Sequence, residues 1–453
     1  MFKPLTTKFR IILVFARQNF FLIVLGLLAG IGLFQLVPHL AKRWQTHNQQ
    51  QHTIGLIGNY TLETLPSDIK DLISMGLTRI TPEGNATPAA AISWEIKNQG
   101  KTYTFALDQQ LKWHDGKQLD AKQINYQIKG VEIKIIAKDK IEFHLKEPFA
   151  PFLVATSHPL FRKKTIGLGN YKIKSLTTRY GNIVSKLELE PVDRTKNKEK
   201  YTFNFYPTQE MLRNAFVLGE VKEAWGAQNI EEFKKWSNVK ITPQRELNNK
   251  YAAVFFNTQK TPFSEKRFRQ ALAYAIKKPK KEARALGPIS PLSWAYNKSI
   301  KAYDFNPSHA KKILKEAKIE PGQIEIKLTT FSGLLPWAEK IKSDWEAIGI
   351  KTTIGIENPN FQGEDFDALL AFGPITPDPD QYYLWHSNQA GNITKFSNQR
   401  IDKLLEEGRQ IFVKEKRKEV YQDFQRFLVE ESPAIFLYYP ESFRLSRQPV
   451  IQF

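Results

Sequence analysis

Gln323–Ile356, QIEIKLTTFSGLLPWAEKIKSDWEAIGIKTTIGI, reads as strand, helix and strand. Gln323–Phe331 and Ile350–Ile356 are short runs rich in Ile and Thr, suited to a pleated surface. Leu335–Ile348 between them carries helical spacing, and Gly349 stands at the helix end. Two strands joined by a helical crossover lie parallel in one sheet, so this stretch selects an α/β fold.

Working outward, the next segment is Phe366–Tyr383, FDALLAFGPITPDPDQYY. Ala368–Phe372 has the length and character of a strand buried on both faces. Gly373–Asp380 holds three prolines, which remove donors and exclude both helix and ladder strand. A buried strand ending in an irregular loop is where open α/β sheets place ligands. A Pro-rich surface turn is the competing reading of the same residues, with Asp378 and Asp380 as turn-forming acids.

Before this region, Ala252–Phe256 is a strand ending at Asn257, and Phe263–Lys277 and the Asn306-Pro307 segment are amphipathic helices. After it come helical Arg400–Phe412 and Glu415–Glu430, then the apolar strand Ala434–Tyr439 beyond Pro433. The earlier half has a different texture, with short alternating strands such as Thr53–Ile57, Tyr103–Leu107 and Tyr201–Tyr206. Val131–Leu145 reads as a hairpin turning at Lys138-Asp139-Lys140, and Met211–Leu218 is a short helix ending at Gly219. Asp120–Gln123 starts a helix with an acid at the N-cap.

A chain of 453 residues is long enough for two lobes. With 25% charged and 42% hydrophobic residues it is neither disordered nor a multi-span membrane protein. There are no cysteines, which excludes disulfides, thiolate metal sites and Cys nucleophiles. The net charge is +20, of which residues 1–43 supply +6 with no acid among them. The rest is interspersed, without the long basic runs of nucleic-acid arms, so no nucleic-acid partner is expected. Asn19–Val37 is uncharged over 19 residues and as a helix would span about 28 Å. No small-residue cleavage site follows, so the run reads as an uncleaved signal anchor, with residues 1–18 cytoplasmic and a polar tether over 38–52.

Catalytic signals are missing. The eight histidines form no ligand cluster at helical spacing, and there is neither a Gly-x-Ser-x-Gly elbow nor a Walker loop. His114 and Asp115 are adjacent on a turn and point apart, so a structural role is expected. Gly167-Leu168-Gly169 lacks the third glycine and the following helix of a phosphate cradle. No enzyme, cofactor or metal is expected.

Several spaced motifs occur in a familiar order: Gly76-Leu77-Thr78-Arg79, Ser93-Trp94-Glu95, Tyr103-Thr104-Phe105 and Leu111-Lys112-Trp113-His114-Asp115-Gly116-Lys117. Pro262-Phe263, Arg269-Gln270-Ala271, Asn306-Pro307, Asp378-Pro379-Asp380, Asn392, Phe396-Ser397-Asn398 and Pro433 follow. From about Thr53 onward the chain resembles family 5 of the extracytoplasmic solute-binding proteins of ABC importers, which includes oligopeptide-, dipeptide- and nickel-binding proteins. The resemblance implies a two-lobed periplasmic-binding-protein-like fold with a hinge, one lobe at 53–250 rejoined by 433–453 and the other at 251–432. Crossings are implied near Glu246–Tyr251 and Glu431–Ala434. It implies a small solute or short peptide as ligand, ABC permease subunits as partners, and a ligand wall at Ala371, Phe372, Gly373 and Ile375. Trp385, Asn257 and Tyr439, at the ends of neighbouring apolar runs, complete the expected ligand-binding set.

Two departures accompany it. The segment between Asp120 and Val131 is short, which implies a trimmed accessory domain. Ile375 stands where peptide-binding relatives carry an Asp that meets the ligand's α-amine, and an apolar residue cannot neutralise a buried ammonium. A non-transporting envelope scaffold or adhesin, using its basic surface on anionic polymers, is the alternative on the same fold.

Overall fold

Alternating patterns make up most of the first half of the folded chain. It enters with β1 (Gln51–Ile57), the helix Ser67–Ile73, and the short β2 (Thr78–Ile80) and β3 (Ala86–Pro88). Two hairpin pairs follow, β4 (Ala91–Lys97) with β5 (Thr102–Leu107) and β6 (Val131–Ala137) with β7 (Lys140–Leu145). Then come β8 (Tyr171–Arg179), β9 (Ile183–Pro191), β10 (Lys200–Tyr206), the helix Gln209–Leu218, β11 (Glu223–Ala227) and β12 (Val239–Arg245). The second half has β13 (Lys250–Phe256), β14 (Glu325–Phe331), β15 (Lys351–Glu357), β16 (Ala368–Pro374), β17 (Ala434–Tyr438) and β18 (Glu441–Arg447). Its main helices are Lys266–Ala275, Pro307–Glu316, Leu335–Glu346, Gln399–Gln410 and Lys414–Glu431.

This computed structural model describes residues 51–195, 198–245, 247, 249–279, 283–358 and 365–448, together with Asn19 and Phe21. The expected anchor over Asn19–Val37 thus lies, apart from those two residues, outside the described residues, as does most of the tether. Among the described residues no helix is long and apolar enough to cross a membrane.

Two large sheets define two lobes. The first is seven-stranded, in the order β12-β18-β11-β1-β10-β9-β8, and the second is five-stranded, in the order β15-β14-β16-β13-β17. The crossover read from Gln323–Ile356 is present, with β14 and β15 parallel and Glu325 opposite Lys351. Gly349 closes the intervening helix at φ +92°, where a side chain would be strained. Gly219 does the same for Gln209–Leu218 at φ +80°.

The chain passes between lobes twice. The first passage joins β12 to β13. The second was expected near Glu431–Ala434, but Ala434–Tyr438 pairs with β13 inside the second lobe, with Phe255 opposite Ala434. Only Tyr439-Pro440 separates it from β18, which inserts between β11 and β12 of the first lobe. A strand's sheet is decided by its pairing partner, which local sequence does not state.

The first lobe also carries the four-stranded sheet β4-β5-β7-β6. It has a separate core of Tyr103, Phe105, Trp113, Ile141, Phe143 and Phe152. The expected helix after Asp120 is only a 3-10 turn, Ala121–Gln123. The N-cap is real, because the Asp120 side chain accepts from Lys122 N. Gln123 Oε1, however, accepts from both Asp120 N and Trp113 Nε1, which holds the turn closed against the Trp113 block. His114 is structural, its Nε2 3.0 Å from Gly169 O and its Nδ1 accepting from Gly167 N at 3.3 Å.

Glu223 fastens the returning strand β18. Its carboxylate accepts from Arg444 Nε at 2.9 Å and Trp225 Nε1 at 3.0 Å, and lies 3.1 Å from His52 Nδ1. Burial pushes this carboxyl up, but the hydrogen bonds from Trp225, His52 and Arg444 outweigh it and hold the group below the usual Glu range. A depressed pKa contributes stability that is present above the unfolded value, about 4.3, and is lost as the pH falls through the folded one. Glu223→Gln should therefore cost about 2 kcal/mol in urea unfolding at pH 7. The gap to the parent should narrow only below about pH 4.

Candidate functional site

At one end of the second lobe's sheet, β13 starts while β16 and β17 finish. Tyr251 lies opposite Gly373 and Lys250 opposite Pro374, and Ile375 N donates to Asn249 O at 2.9 Å. A Cβ on Gly373 would overlap the Tyr251 ring and come within 2.6 Å of its hydroxyl, so glycine is what lets the ring lie across the strand. On the other side β14 is in register with β16 only at Ala368 and Leu369, while Thr330 Oγ1 donates to Leu370 O at 3.1 Å.

Strand alternation divides the expected residues. Ala371 and Gly373 share a face with their partners Ala253 and Tyr251, whereas Phe372, opposite Ala252, belongs to the other face. Phe372 is 42% exposed, and Lys250 Nζ lies 5.0 Å from its ring centroid. On the Gly373 face the aromatics form a layer. The Trp385 ring lies 6.3 Å from Phe255 and 6.1 Å from Phe436, and Phe436 lies 5.1 Å from Tyr251. Tyr439 follows β17, and burial together with the neighbouring Tyr296 and Tyr251 phenols pushes its own phenol up. Ile375 is buried in the core of the second lobe.

Asn257 does not join this group. It sits six residues along β13 from Tyr251, roughly 20 Å away at strand rise. There its Oδ1 accepts from Gln259 N and its own N–H donates to Asp367 O. Its role is to shape the turn after β13, and it is removed from the expected ligand-binding set.

Three buried polar atoms near the cluster find no hydrogen-bond partner among the described residues: Trp385 Nε1, Tyr439 Oη and Gln381 Oε1. Leaving such an atom unsatisfied costs about 1–3 kcal/mol. Such an atom in a native interior calls for a partner beyond the protein's own groups, an ordered water or a bound ligand.

The loop after Ile375 explains where its acids go. Asp380 N donates to Asp378 Oδ1 and Tyr382 N to Asp380 Oδ1, so both acids do form turns. Each also meets an arginine, which sequence reading missed. Arg417 grips Asp378 with two nitrogens at 2.8 and 2.5 Å, and its Nε donates to Gly408 O at 2.6 Å. Arg409 Nε donates to Asp380 Oδ2 at 3.1 Å. Burial nevertheless leaves the Asp380 carboxyl above the ordinary range despite Arg409. The loop's carboxylates are thus committed to arginines. Among the described residues no group of three or more His, Asp or Glu is placed to hold a metal ion.

An α/β pair of lobes joined by two passages, with an aromatic-lined strand end beside them, is the architecture of a two-lobed binding protein. The profile of bacterial extracellular solute-binding proteins, family 5 (middle), matches residues 85–393, and this chain belongs to that family. It is 23% identical to the dipeptide-binding protein of Escherichia coli, over 80% of this chain and 82% of the relative. A heme-binding protein A from Haemophilus influenzae is 31% identical over 46% of the chain and 42% of its own length. In fold it is similar to NikZ from Campylobacter jejuni in complex with Ni(L-His), with TM-score 0.74, 21% identity, and 88% and 94% of the two chains covered. It is likewise similar to the oligopeptide-binding protein AppA of Bacillus subtilis in complex with a nonapeptide, with TM-score 0.69, 20% identity, and 89% and 96% covered. The family consists of substrate-binding proteins and not of enzymes.

Two variants test the site's construction. Gly373→Ala should cost about 1–3 kcal/mol by overpacking on Tyr251. Much less should be lost in a Tyr251→Leu background, a coupling that a double-mutant cycle in denaturant will read. Asp378→Ala should cost about 3–5 kcal/mol, because it strands the buried Arg417 guanidinium.

Proposed function

We propose that this chain is a membrane-anchored extracytoplasmic receptor of an ABC importer. It takes a small solute or short peptide between its lobes and passes it to the permease subunits. Asn19–Val37 serves as the anchor, and Ala371, Gly373, Trp385 and Tyr439 serve as the ligand wall on one face of the sheet, with Phe372 on the other face and Ile375 packed in the core. The observation that carries this reading is the unpartnered Trp385 Nε1 and Tyr439 Oη on the face that bears Gly373. The relatives named for dipeptides and oligopeptides support it. The envelope-scaffold alternative draws on the net charge and on Ile375, and gains nothing further from this geometry.

The same chemistry restricts the ligand. An indole N–H and a phenol offer donors on the Gly373 face, the Lys250 cation beside Phe372 lies on the opposite face, and Asp378 and Asp380 are occupied by arginines. A ligand is accommodated here by a carbonyl or carboxylate oxygen. An ammonium group would be buried without a counter-charge. Thermal-shift titration with matched short peptides, free at the amine or N-acetylated, and with a nickel–histidine chelate tests this. At least one solute should stabilise the protein, and the acetylated peptide should do so at least as well as its free-amine twin. Trp385→Phe and Tyr439→Phe should each weaken binding by roughly 5- to 20-fold, as expected for one lost hydrogen bond. No stabilisation across the whole set would sink the receptor reading.

A further inference from the structure

The loop Thr376–Tyr382 is held from both lobes at once. From the second lobe, Arg417 and Arg409 take its two carboxylates. From the first, Gly84 meets it directly: a Cβ there would lie 2.8 Å from Pro377 O. The same turn of the first lobe binds the second through Trp294, whose N donates to Glu83 O at 3.1 Å and whose Nε1 donates to Gly84 O at 3.3 Å. Lys414 Nζ donates to Asn85 Oδ1 at 2.6 Å.

Arg409 stands where these contacts meet. Its guanidinium donates to Asp380 and lies 4.2 Å from the Tyr382 ring centroid, both in the loop. It also lies 4.8 Å from the centroid of Phe149, which belongs to the four-stranded unit of the first lobe. Its carbonyl accepts from Ala150 N at 2.7 Å. Three residues on, the Phe412 ring presses on Gly100 so closely that a Cβ there would overlap it, and Gly100 sits at φ +88° in the β4–β5 turn. An incidental surface contact would not place one guanidinium between two rings and a carboxylate drawn from both lobes.

We propose that Arg409 is a positioning residue for solute capture, joining the loop after β16 to the four-stranded unit so that lobe contact and the setting of the loop are one event. Its part in solute capture rests on the receptor reading, but the latch itself does not. Separating the lobes takes away Phe149, Ala150 and Gly84 together, and the loop keeps only its second-lobe supports. Coupling of this kind travels through a shared element with two arrangements. Here that element is the loop with Arg409.

The test needs no ligand, so its failure is separable from failure of the receptor reading. Because the chain has no cysteines, Lys134→Cys and Lys311→Cys, on exposed positions of the two lobes, accept spin labels uniquely in the full chain. Pulsed electron-spin distance measurement should give one narrow population for the labelled parent. Arg409→Ala and Phe412→Ala should each add a longer-distance population, and Arg409→Lys should restore part of the short one. Amide exchange at Ile375, Asp380 and Tyr382 should accelerate in step with the longer population. If Arg409→Ala fails to fold, Arg409→Lys and Phe412→Ala carry the same comparison. Distances that superpose on the parent's, with or without a lower Tm, would overturn the proposal. So would opening that leaves those three amides as protected as before.

Discussion

The bidentate grip of Arg417 on Asp378 is the constraint around which the second lobe's working end is arranged. Taking both charges out of water costs several kcal/mol per ion, and only good geometry with further hydrogen bonds offsets it. Gly408 O and the Tyr421 hydroxyl supply those bonds. The pair ties the loop after β16 to the long helix Lys414–Glu431. At the far end of that helix Arg269, itself buried, donates to Glu431 O and Ser432 O and aims the chain into β17. The two strands flanking β13 therefore take their positions from two buried arginines.

The aromatic layer serves a second purpose besides filling volume. Tyr, Trp and Phe lose few rotamers on ordering and have both apolar bodies and, for Tyr and Trp, a polar tip. Placed where β13 begins and β17 ends, they make that end of the sheet a rigid surface. Glycine at 373 is part of the same economy, since it lets Tyr251 lie flat on the neighbouring strand.

Much of this was legible in the chain. The crossover over Gln323–Ile356 was visible because strand and helix periods differ. The helix ends at Gly219 and Gly349 were visible because only glycine takes positive φ without strain. The split of Phe372 from Gly373 was also within reach, since adjacent strand residues always face apart. What could not be read was long-range pairing. Arg417 lies 39 residues from Asp378, and on a charged amphipathic helix it looks like one more solvated cation. Glu441–Arg447 is short and weakly patterned, so nothing local tells that it joins a different sheet from the strand two residues before it. The missing helix after Asp120 follows from Gln123, whose side chain is taken by Trp113, a contact that local capping rules do not contain.

The position of β18 has a consequence for how this protein comes to be folded. Among the described residues β12 is an edge strand paired with β18 alone, and β18 comes late in the chain. When residues 51–245 have been synthesised, the first lobe still lacks an interior strand, and it must wait for the whole second lobe to be made. The lobe that is begun first is then the last to be completed. During that interval the exposed edges of β11 and β12 are open to wrong partners, the usual hazard of discontinuous domains.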